Sequence, residues 1–299
     1  TAIPAITVDA QGRITAASTN AFSAGVTSDG QNNTVAGTAA GDAFDGTNAN
    51  NNSLFGRSAG TDLTTGDNNV GVGSTALEQL TTGSNNVALG RSALNNITTA
   101  SNNTAVGDIA LISNTSAENN TAVGAQALNQ NTTGTQNVAV GAFAVDANST
   151  GQGLIGIGYN ALGANTTANN NTAVGDQALA ANTTGTSNVG IGAGALLANT
   201  TASNNTSVGV NALGATTTGA ENVAVGGGAL DTNTTGNSNT ALGYVALDAN
   251  STGNRNTGLG QGALRNNSTA SDNTAVGRDA MFYNTTGTFN TAVGKSAME

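Results

Sequence analysis

Apolar and polar positions repeat along this chain with a period of 17 residues. Glycine follows a large apolar residue at Gly56, Gly73 and then every seventeenth position to Gly294, which gives 15 copies. Numbered from its first asparagine, a copy has a large apolar residue at place four, Ala at place eight, and Leu at place nine in most copies. A short fixed period predicts one supersecondary unit stacked many times, each copy contacting mainly its neighbours.

Each copy favours short strands over helix. The copy that starts at Asn171 reads NTAVGDQALAANTTGTS, and its apolar residues do not recur at intervals of three and four. Segments such as Thr-Ala-Val alternate side-chain direction before glycine turns the chain. Strands stacked in parallel about 4.8 Å apart would give a rod of roughly 70 Å. The sequence therefore predicts an all-β parallel β-helix or β-roll solenoid with 17-residue coils.

Place one is Asn in 14 of the 15 copies, with Leu154 as the exception. An inward Asn can donate its amide to one neighbouring copy and accept from the other, as in cross-β ladders. The alternative is that Asn tolerates a left-handed turn conformation. We predict the ladder and take five of these residues to represent it: Asn103, Asn120, Asn137, Asn171 and Asn188.

The predicted interior is thin. A 17-residue coil offers about one Val, one Ala and one Leu to it, and the chain has no cysteine to form a disulfide. We expect several chains to associate and bury a second apolar row, with the Leu at place nine as the candidate contact. The alternative is a lone solenoid filled by Val, Ala and Leu. The place-nine row includes Leu179, Leu196 and Leu213.

Residues 1–31 lie outside the period and predict a β-hairpin or adaptor segment. Ile6-Thr7-Val8 and Arg13-Ile14-Thr15 flank a loop that contains Gly12. Residues 32–299 form the predicted solenoid, which is regular from about residue 52, because an earlier copy ends at Gly37, 19 residues rather than 17 before Gly56. Since the chain starts without Met and stops inside a copy, we expect it to be a piece of something longer.

Composition argues against several functions. The chain contains neither His nor Cys, so imidazole bases, thiol nucleophiles and Cys/His zinc sites are excluded. Its net charge of −10 has no basic stripe to neutralise phosphates, and no apolar run reaches the roughly 18 residues of a membrane span. We therefore expect no catalytic, cofactor-binding or metal-binding residues, no nucleic-acid partner and no membrane insertion.

Charged residues keep to a few places of the copy. From Asn52 onward they fall at places 6, 7, 10, 11, 16 or 17, which indicates a fixed register with those places outside. Several stack one coil from an opposite charge, and each exposed pair is expected to contribute under about 1 kcal/mol. The pairs are Arg91 with Asp108, Asp248 with Arg265, and Arg255 with Asp272.

Several other residue patterns suggest a specific chemistry, but each has a simpler interpretation. Asp231 and Asp248 share place ten on adjacent coils, a separation that suits a retaining glycosidase, but a charge ladder explains them better. Sequons such as Asn182-Thr183-Thr184 are explained by a periodic turn rather than glycosylation. Thr rows at places 13 and 14 would suit ice binding, but consecutive residues point to opposite faces if extended. Calcium-binding solenoids need Asp at a fixed turn place, which is absent.

Aromatic residues at variable places are the clearest candidates for binding a receptor. Aromatic side chains at exposed sites stack on sugars or anchor a protein partner. The alternative is a local patch or a contact with the next segment of a fibre. The candidates are Phe143, Tyr159, Tyr244, Phe282, Tyr283 and Phe289.

Two segments carry a family resemblance. ITVDAQGRITAAS (residues 6–18) resembles a segment recurrent in bacteriophage tail-fibre proteins. NNTAVGDQALAANTTG (170–185) and NTAVGRDAMFYNTTG (273–287) resemble repeats of tail-fibre-domain proteins of phages and bacteria. More distantly, the repeats are similar to the shorter head repeats of trimeric autotransporter adhesins.

The resemblance implies a homotrimeric parallel β-helix or β-roll used for attachment. It implies other fibre or tail proteins at both ends and a glycan or protein receptor on the host surface. The corresponding function is a non-enzymatic structural shaft of a tail fibre on a virion. The alternatives are a bacterial surface adhesin or extracellular filament and, less favoured, an ice-binding solenoid.

Overall fold

A computed structural model describes residues 3–8, 14–20, 27–44 and 48–298. These residues contain β-strands and turns and no helix. Strands β1 and β2 have six and seven residues, β3 has two, and β4 to β19 have three each. The strands are β1 Ile3–Val8, β2 Ile14–Asn20, β3 Thr27–Ser28, β4 Thr34–Ala36, β5 Ser53–Phe55, β6 Val70–Val72, β7 Val87–Leu89, β8 Thr104–Val106, β9 Thr121–Val123, β10 Val138–Val140, β11 Ile155–Ile157, β12 Thr172–Val174, β13 Val189–Ile191, β14 Thr206–Val208, β15 Val223–Val225, β16 Thr240–Leu242, β17 Thr257–Leu259, β18 Thr274–Val276 and β19 Thr291–Val293.

The two longest strands form a separate antiparallel pair. Ile3 of β1 lies opposite Asn20 of β2, and Val8 lies opposite Ile14. This is the antiparallel pairing that the hairpin prediction requires. The predicted loop, residues 9–12, lies outside the described residues, as does Arg13.

Strands β4 to β19 form one parallel ladder in which every strand pairs with the strand of the next coil. Val138 of β10 lies beside Ile155 of β11, and Ile155 lies beside Thr172 of β12, so the register advances by 17 residues at each step. At the first end, β3 adds to β4 as an antiparallel strand, so the sheet starts before residue 32. The predicted solenoid is confirmed as a stack of parallel coils in register.

The backbone conformation at place five requires glycine. Gly73 has φ +136°, a region essentially reserved for glycine. A Cβ atom built on Gly73 would also collide with the backbone carbonyl of Gly90 in the next coil. The invariant spacing of this glycine therefore follows from the close stacking of turns.

The interior is filled by places three, eight and nine. Place three is the inward residue of each strand and is almost always Ala or Gly. Leu179 at place nine packs over Gly190 of the next coil, where an added Cβ would lie 3.4 Å from Leu179 Cδ1. The turn that carries this leucine has φ +53°, so an uncommon backbone conformation points a large side chain inward.

Two predictions about the interior are wrong. Leu179, Leu196 and Leu213 are fully buried within one chain, so they are not a contact between chains. The large apolar residues at place four point outward rather than inward. The middle residue of each three-residue strand is the buried one, and because successive side chains alternate, its two flanking residues face away from the core.

Candidate functional site

The outward side of the parallel sheet is a candidate interaction surface. It consists of places two and four from Val70 to Val293, and we call it the strand face. Place two alternates mainly between Thr and Val, and place four is Val, Ile or Leu throughout this range. Aliphatic side chains remain open on it, with Val140 37% exposed and Leu242 45% exposed. Contiguous exposed apolar surface of this length marks an interaction site.

No charged residue lies on the strand face. Acidic and basic side chains fall on the turns, and the three predicted ion pairs are present there. Arg91 Nη2 lies 2.8 Å from Asp108 Oδ2. The Arg255–Asp272 pair is closed at 2.7 Å, and the hydrogen bond from Arg255 lowers the pKa of Asp272. Arg265 lies 3.6 Å from Asp248. The strand face is therefore neutral although the chain is acidic.

The asparagine ladder at place one is formed. Asn120 donates its backbone N–H and its Nδ2 to Asn103 Oδ1 at 3.0 and 3.3 Å, and Asn137 donates its backbone N–H to Asn120 Oδ1 at 3.0 Å. Leu154 has no side-chain amide, so the ladder stops at Asn137, whose Oδ1 accepts the backbone N–H of Leu154. The ladder resumes where Asn188 donates its backbone N–H to Asn171 Oδ1 at 2.9 Å. All five asparagines chosen from the sequence are fully buried.

The ladder ends at an acidic cap. Asn33 donates its backbone N–H to Asp29 Oδ1 and its Nδ2 to Asp29 Oδ2, each at 2.8 Å. The side-chain hydrogen bond from Asn33 is the main cause that lowers the pKa of Asp29. A carboxylate that only accepts thus satisfies the donors that no preceding asparagine can satisfy.

A second asparagine ladder occupies place 12 and was not predicted. Asn182 donates its Nδ2 to Asn165 Oδ1 at 3.1 Å and to the carbonyl of Gly185 at 3.0 Å, and Asn199 donates to Asn182 Oδ1 at 2.7 Å. The recurrence of Asn at this place was the available signal, but it was interpreted only as part of a turn. Because Asn182 is fully buried, its sequon is closed to glycosylation.

The threonine rows do not form a flat hydroxyl surface. The hydroxyl of Thr183 at place 13 donates to the backbone carbonyl of Thr200 at 3.0 Å, so it is committed to the next coil. Thr184 at place 14 is exposed. This geometry weakens the basis of the ice-binding alternative, which needed paired open rows.

The six aromatic candidates lie in separate groups. Phe143 and Tyr159 contact edge to face at 5.9 Å between ring centroids. Tyr244 stands alone five coils further on, roughly 24 Å along the rod. Its ring lies beside Gly227, where an added Cβ would be 3.6 Å from Tyr244 Cδ2. Phe289, at place 17, is 79% exposed.

The third group combines aromatic and ionic side chains. Phe282 and Tyr283 contact edge to face at 4.9 Å, and Arg265 Cζ lies 5.7 Å from the centre of the Phe282 ring. Along the same column, burial and the negative charge of Asp248 raise the pKa of Asp231. The structure therefore joins two aromatic candidates to the ion pair that the sequence treated separately.

Comparison of the chain with models of known protein families and with curated proteins gave no match. Among the described residues, no helix is long and apolar enough to cross a membrane. Within the same residues, no three His, Cys, Asp or Glu side chains are grouped to hold a metal ion.

Proposed function

We propose that the chain is a structural shaft of a viral tail fibre or a similar surface appendage, and that copies associate as a homotrimer through the strand face. The observation that carries this proposal is the uncharged outward side of the sheet, where a continuous aliphatic row at place four runs beside Thr and Val at place two. The resemblance of the repeats to tail-fibre-domain proteins supports the trimeric state and the location on a virion.

The size of the strand face suits a stable interface. Fourteen coils at about 4.8 Å and a strand of three residues at about 3.3 Å each give a strip of roughly 67 by 10 Å. That area approaches the roughly 800 Å² per partner of a standard stable interface. A monomer rarely leaves contiguous apolar surface of this size in water.

A second copy of the chain is the partner that fits this surface best. Both copies repeat their side chains at the spacing of parallel strands, so parallel copies match along the whole rod. Since the charges from Asn52 onward all lie outside places two and four, the acidic chains approach without placing like charges in the contact. Isologous or cyclic self-association is also the usual route to soluble homo-oligomers.

The proposed role is mechanical. Parallel backbone hydrogen bonds, two asparagine ladders and an apolar core link every coil to the next, so a trimer of such rods makes a stiff spacer. In this role the shaft is non-enzymatic, contacts other fibre or tail proteins at its ends, and supports attachment to a glycan or protein receptor of the host.

A second candidate is a bacterial surface adhesin or extracellular filament whose own flank binds partners. The exposed aromatic groups away from the strand face favour it, because a plain spacer does not need them. The two candidates share the same assembly and differ in whether the flank or a separate tip binds the receptor.

The assembly is tested by light scattering on the purified chain. The wild type is expected at three times the chain mass. Val140→Asp with Ile191→Asp places two charges on the strand face and is expected to release monomers. Ala125→Asp with Ala193→Asp adds the same charge at place six and is expected to leave the trimer intact. A monomeric wild type, or equal effects of the two double variants, would refute the proposal.

A further inference from the structure

We propose that a cluster of aromatic and ionic side chains near the end of the described solenoid binds a neutral pyranose sugar. The cluster consists of Asp231, Asp248, Arg265, Phe282 and Tyr283. The inference rests on the proposed role in surface attachment and names the class of ligand. It assigns the ligand to the flank of the rod rather than to the strand face.

The cluster is a continuous column. Asp231, Asp248, Arg265 and Phe282 occupy place ten of four successive coils, and Tyr283 follows at place eleven. Three intervals of about 4.8 Å give the column a length of roughly 14 Å. Charged residues make up only 8% of the chain, and this column places three of them next to two aromatic rings.

The aromatic end offers a supported platform. Tyr283 is 66% exposed, and its ring is held edge to face against Phe282. Arg265 in turn lies over the Phe282 ring, which fixes that ring from the side of the preceding coil. An exposed ring whose orientation is fixed by its neighbours loses little entropy when a ligand packs on it.

The polar part supplies both donors and acceptors beside the platform. Arg265 has several N–H donors and only a loose contact of 3.6 Å with Asp248, while 44% of its side chain is exposed. Asp231 and Asp248 accept hydrogen bonds when ionised. A pyranose presents C–H faces that pack on aromatic rings and hydroxyls that both donate and accept, so it matches the two halves of the cluster.

The charge of the cluster selects against acidic sugars. Two carboxylates and one guanidinium leave the column net negative, and the chain itself carries −10. An anionic sugar would meet repulsion from the nearest carboxylates and from the whole surface. Neutral hexoses and N-acetylhexosamines are therefore the expected class.

Saturation-transfer NMR on the assembled chain tests this inference, with methyl glycosides of glucose, galactose and N-acetylglucosamine as probes. At least one probe is expected to receive saturation on its ring protons. Tyr283→Ala is expected to weaken binding about tenfold, as loss of an aromatic anchor does. Asp248→Asn with Arg265→Gln tests the polar half and is expected to weaken binding without removing the rings.

Tyr244→Ala is the matched control, because Tyr244 is 63% exposed and its ring lies beside Gly227 at place six, outside the place-ten column. It is expected to leave the signal unchanged. Absence of transfer to every probe in the wild type, or equal transfer to Tyr283→Ala, would overturn the inference. Light scattering on the same samples separates the two proposals: a trimer without sugar binding refutes only the sugar site, whereas a monomeric wild type refutes the shaft.

Discussion

The early and the later coils of the solenoid close the same corner with different chemistry. At place 12 the early coils carry Leu63, Leu80 and Ile97, all fully buried. From Asn114 onward the corner holds asparagine, apart from Thr216, and the residues from Asn114 to Asn267 are buried as completely. The backbone path is the same in both regions, so one turn accepts an apolar filling or a hydrogen-bonded one.

Comparison of the two fillings shows what the asparagine corner adds. Burying a leucine contributes about 1.5–3 kcal/mol, whereas each hydrogen bond contributes about 1 kcal/mol net. The asparagine corner is therefore no more stable than the apolar one. It is directional, however, because a coil displaced by one residue leaves every buried amide without its partners, while leucine tolerates such a shift.

The first regular coil also exchanges its large and small interior residues. Place three is Leu54 and place nine is Gly60, where later coils have Ala or Gly and then Leu. A Cβ on Gly60 would lie 2.7 Å from Leu54 Cδ1, and one on Gly71 in the next coil 3.0 Å from Leu54 Cδ2. Places three and nine together thus carry one large side chain per coil, and it can come from the strand or from the turn.

The largest effect is expected when that single side chain is removed. Leu54→Ala leaves a cavity at a fully buried site and is expected to lower the free energy of unfolding by about 3 kcal/mol. Adding Gly60→Leu recreates the later arrangement, in which Ala173, Leu179 and Gly190 occupy the equivalent positions. We expect the double variant to recover most of the loss, measured by urea unfolding of all variants.

Gly60→Leu alone is the control for this exchange. It places large side chains at places three and nine of one coil at once, and overpacking costs about 1–3 kcal/mol. The effects of the two single changes are then non-additive, as expected for residues in contact. Additive losses in the double variant would show that a large side chain from the turn cannot replace the one from the strand.

A smaller loss is expected when the amide corner is made apolar. Asn182→Leu removes the hydrogen bonds to Asn165 and Gly185 and leaves Asn199 without its acceptor at 2.7 Å. We expect the free energy of unfolding to fall by about 2–3 kcal/mol, because buried amides lose partners although leucine fits this corner elsewhere. Chemical denaturation followed by circular dichroism measures the change.

Ile97→Leu is the matched control in the apolar corner. It keeps volume and breaks no hydrogen bond, so its cost is expected to stay below about 1.5 kcal/mol. Equal losses for Asn182→Leu and Ile97→Leu would contradict the distinction between a directional and a non-directional corner.

The period, the parallel strands and the asparagine ladder at place one were predictable because each depends on spacing alone. Which face of each strand points into the core was not predictable. Alternation shows that Ala139 and Val140 face opposite sides, but it does not say which side is the core. The sequence predicts that the large residue at place four points inward. The small residue at place three points inward instead, because a leucine from the turn already fills the space.

Residues at the candidate surfaces were predictable only in part. The aromatic positions and the Arg265–Asp248 pair were visible in the sequence. The contact between the rings and the ion pair was not, because it depends on the directions in which the side chains of places ten and eleven leave the turn. The strand face was missed for the same reason as the inward leucines. Its signal was the restriction of place three to small residues, which indicates that the core side of the strand is crowded.

The smallest effect, and the only gain, is expected where the amide corner is interrupted. Thr216 breaks the second ladder, and Asn199 Oδ1 and Thr216 Oγ1 have no hydrogen-bond partner although both are buried. Thr216→Asn supplies a donor to Asn199 and an acceptor to Asn233, so the free energy of unfolding is expected to rise by about 1 kcal/mol. Thr216→Val removes only the unpaired hydroxyl and is expected to raise the free energy of unfolding by less. Thermal unfolding of both variants measures the two changes. An equal gain for both variants would show that continuity of the ladder, which distinguishes the later coils from the early ones, contributes no stability at this site.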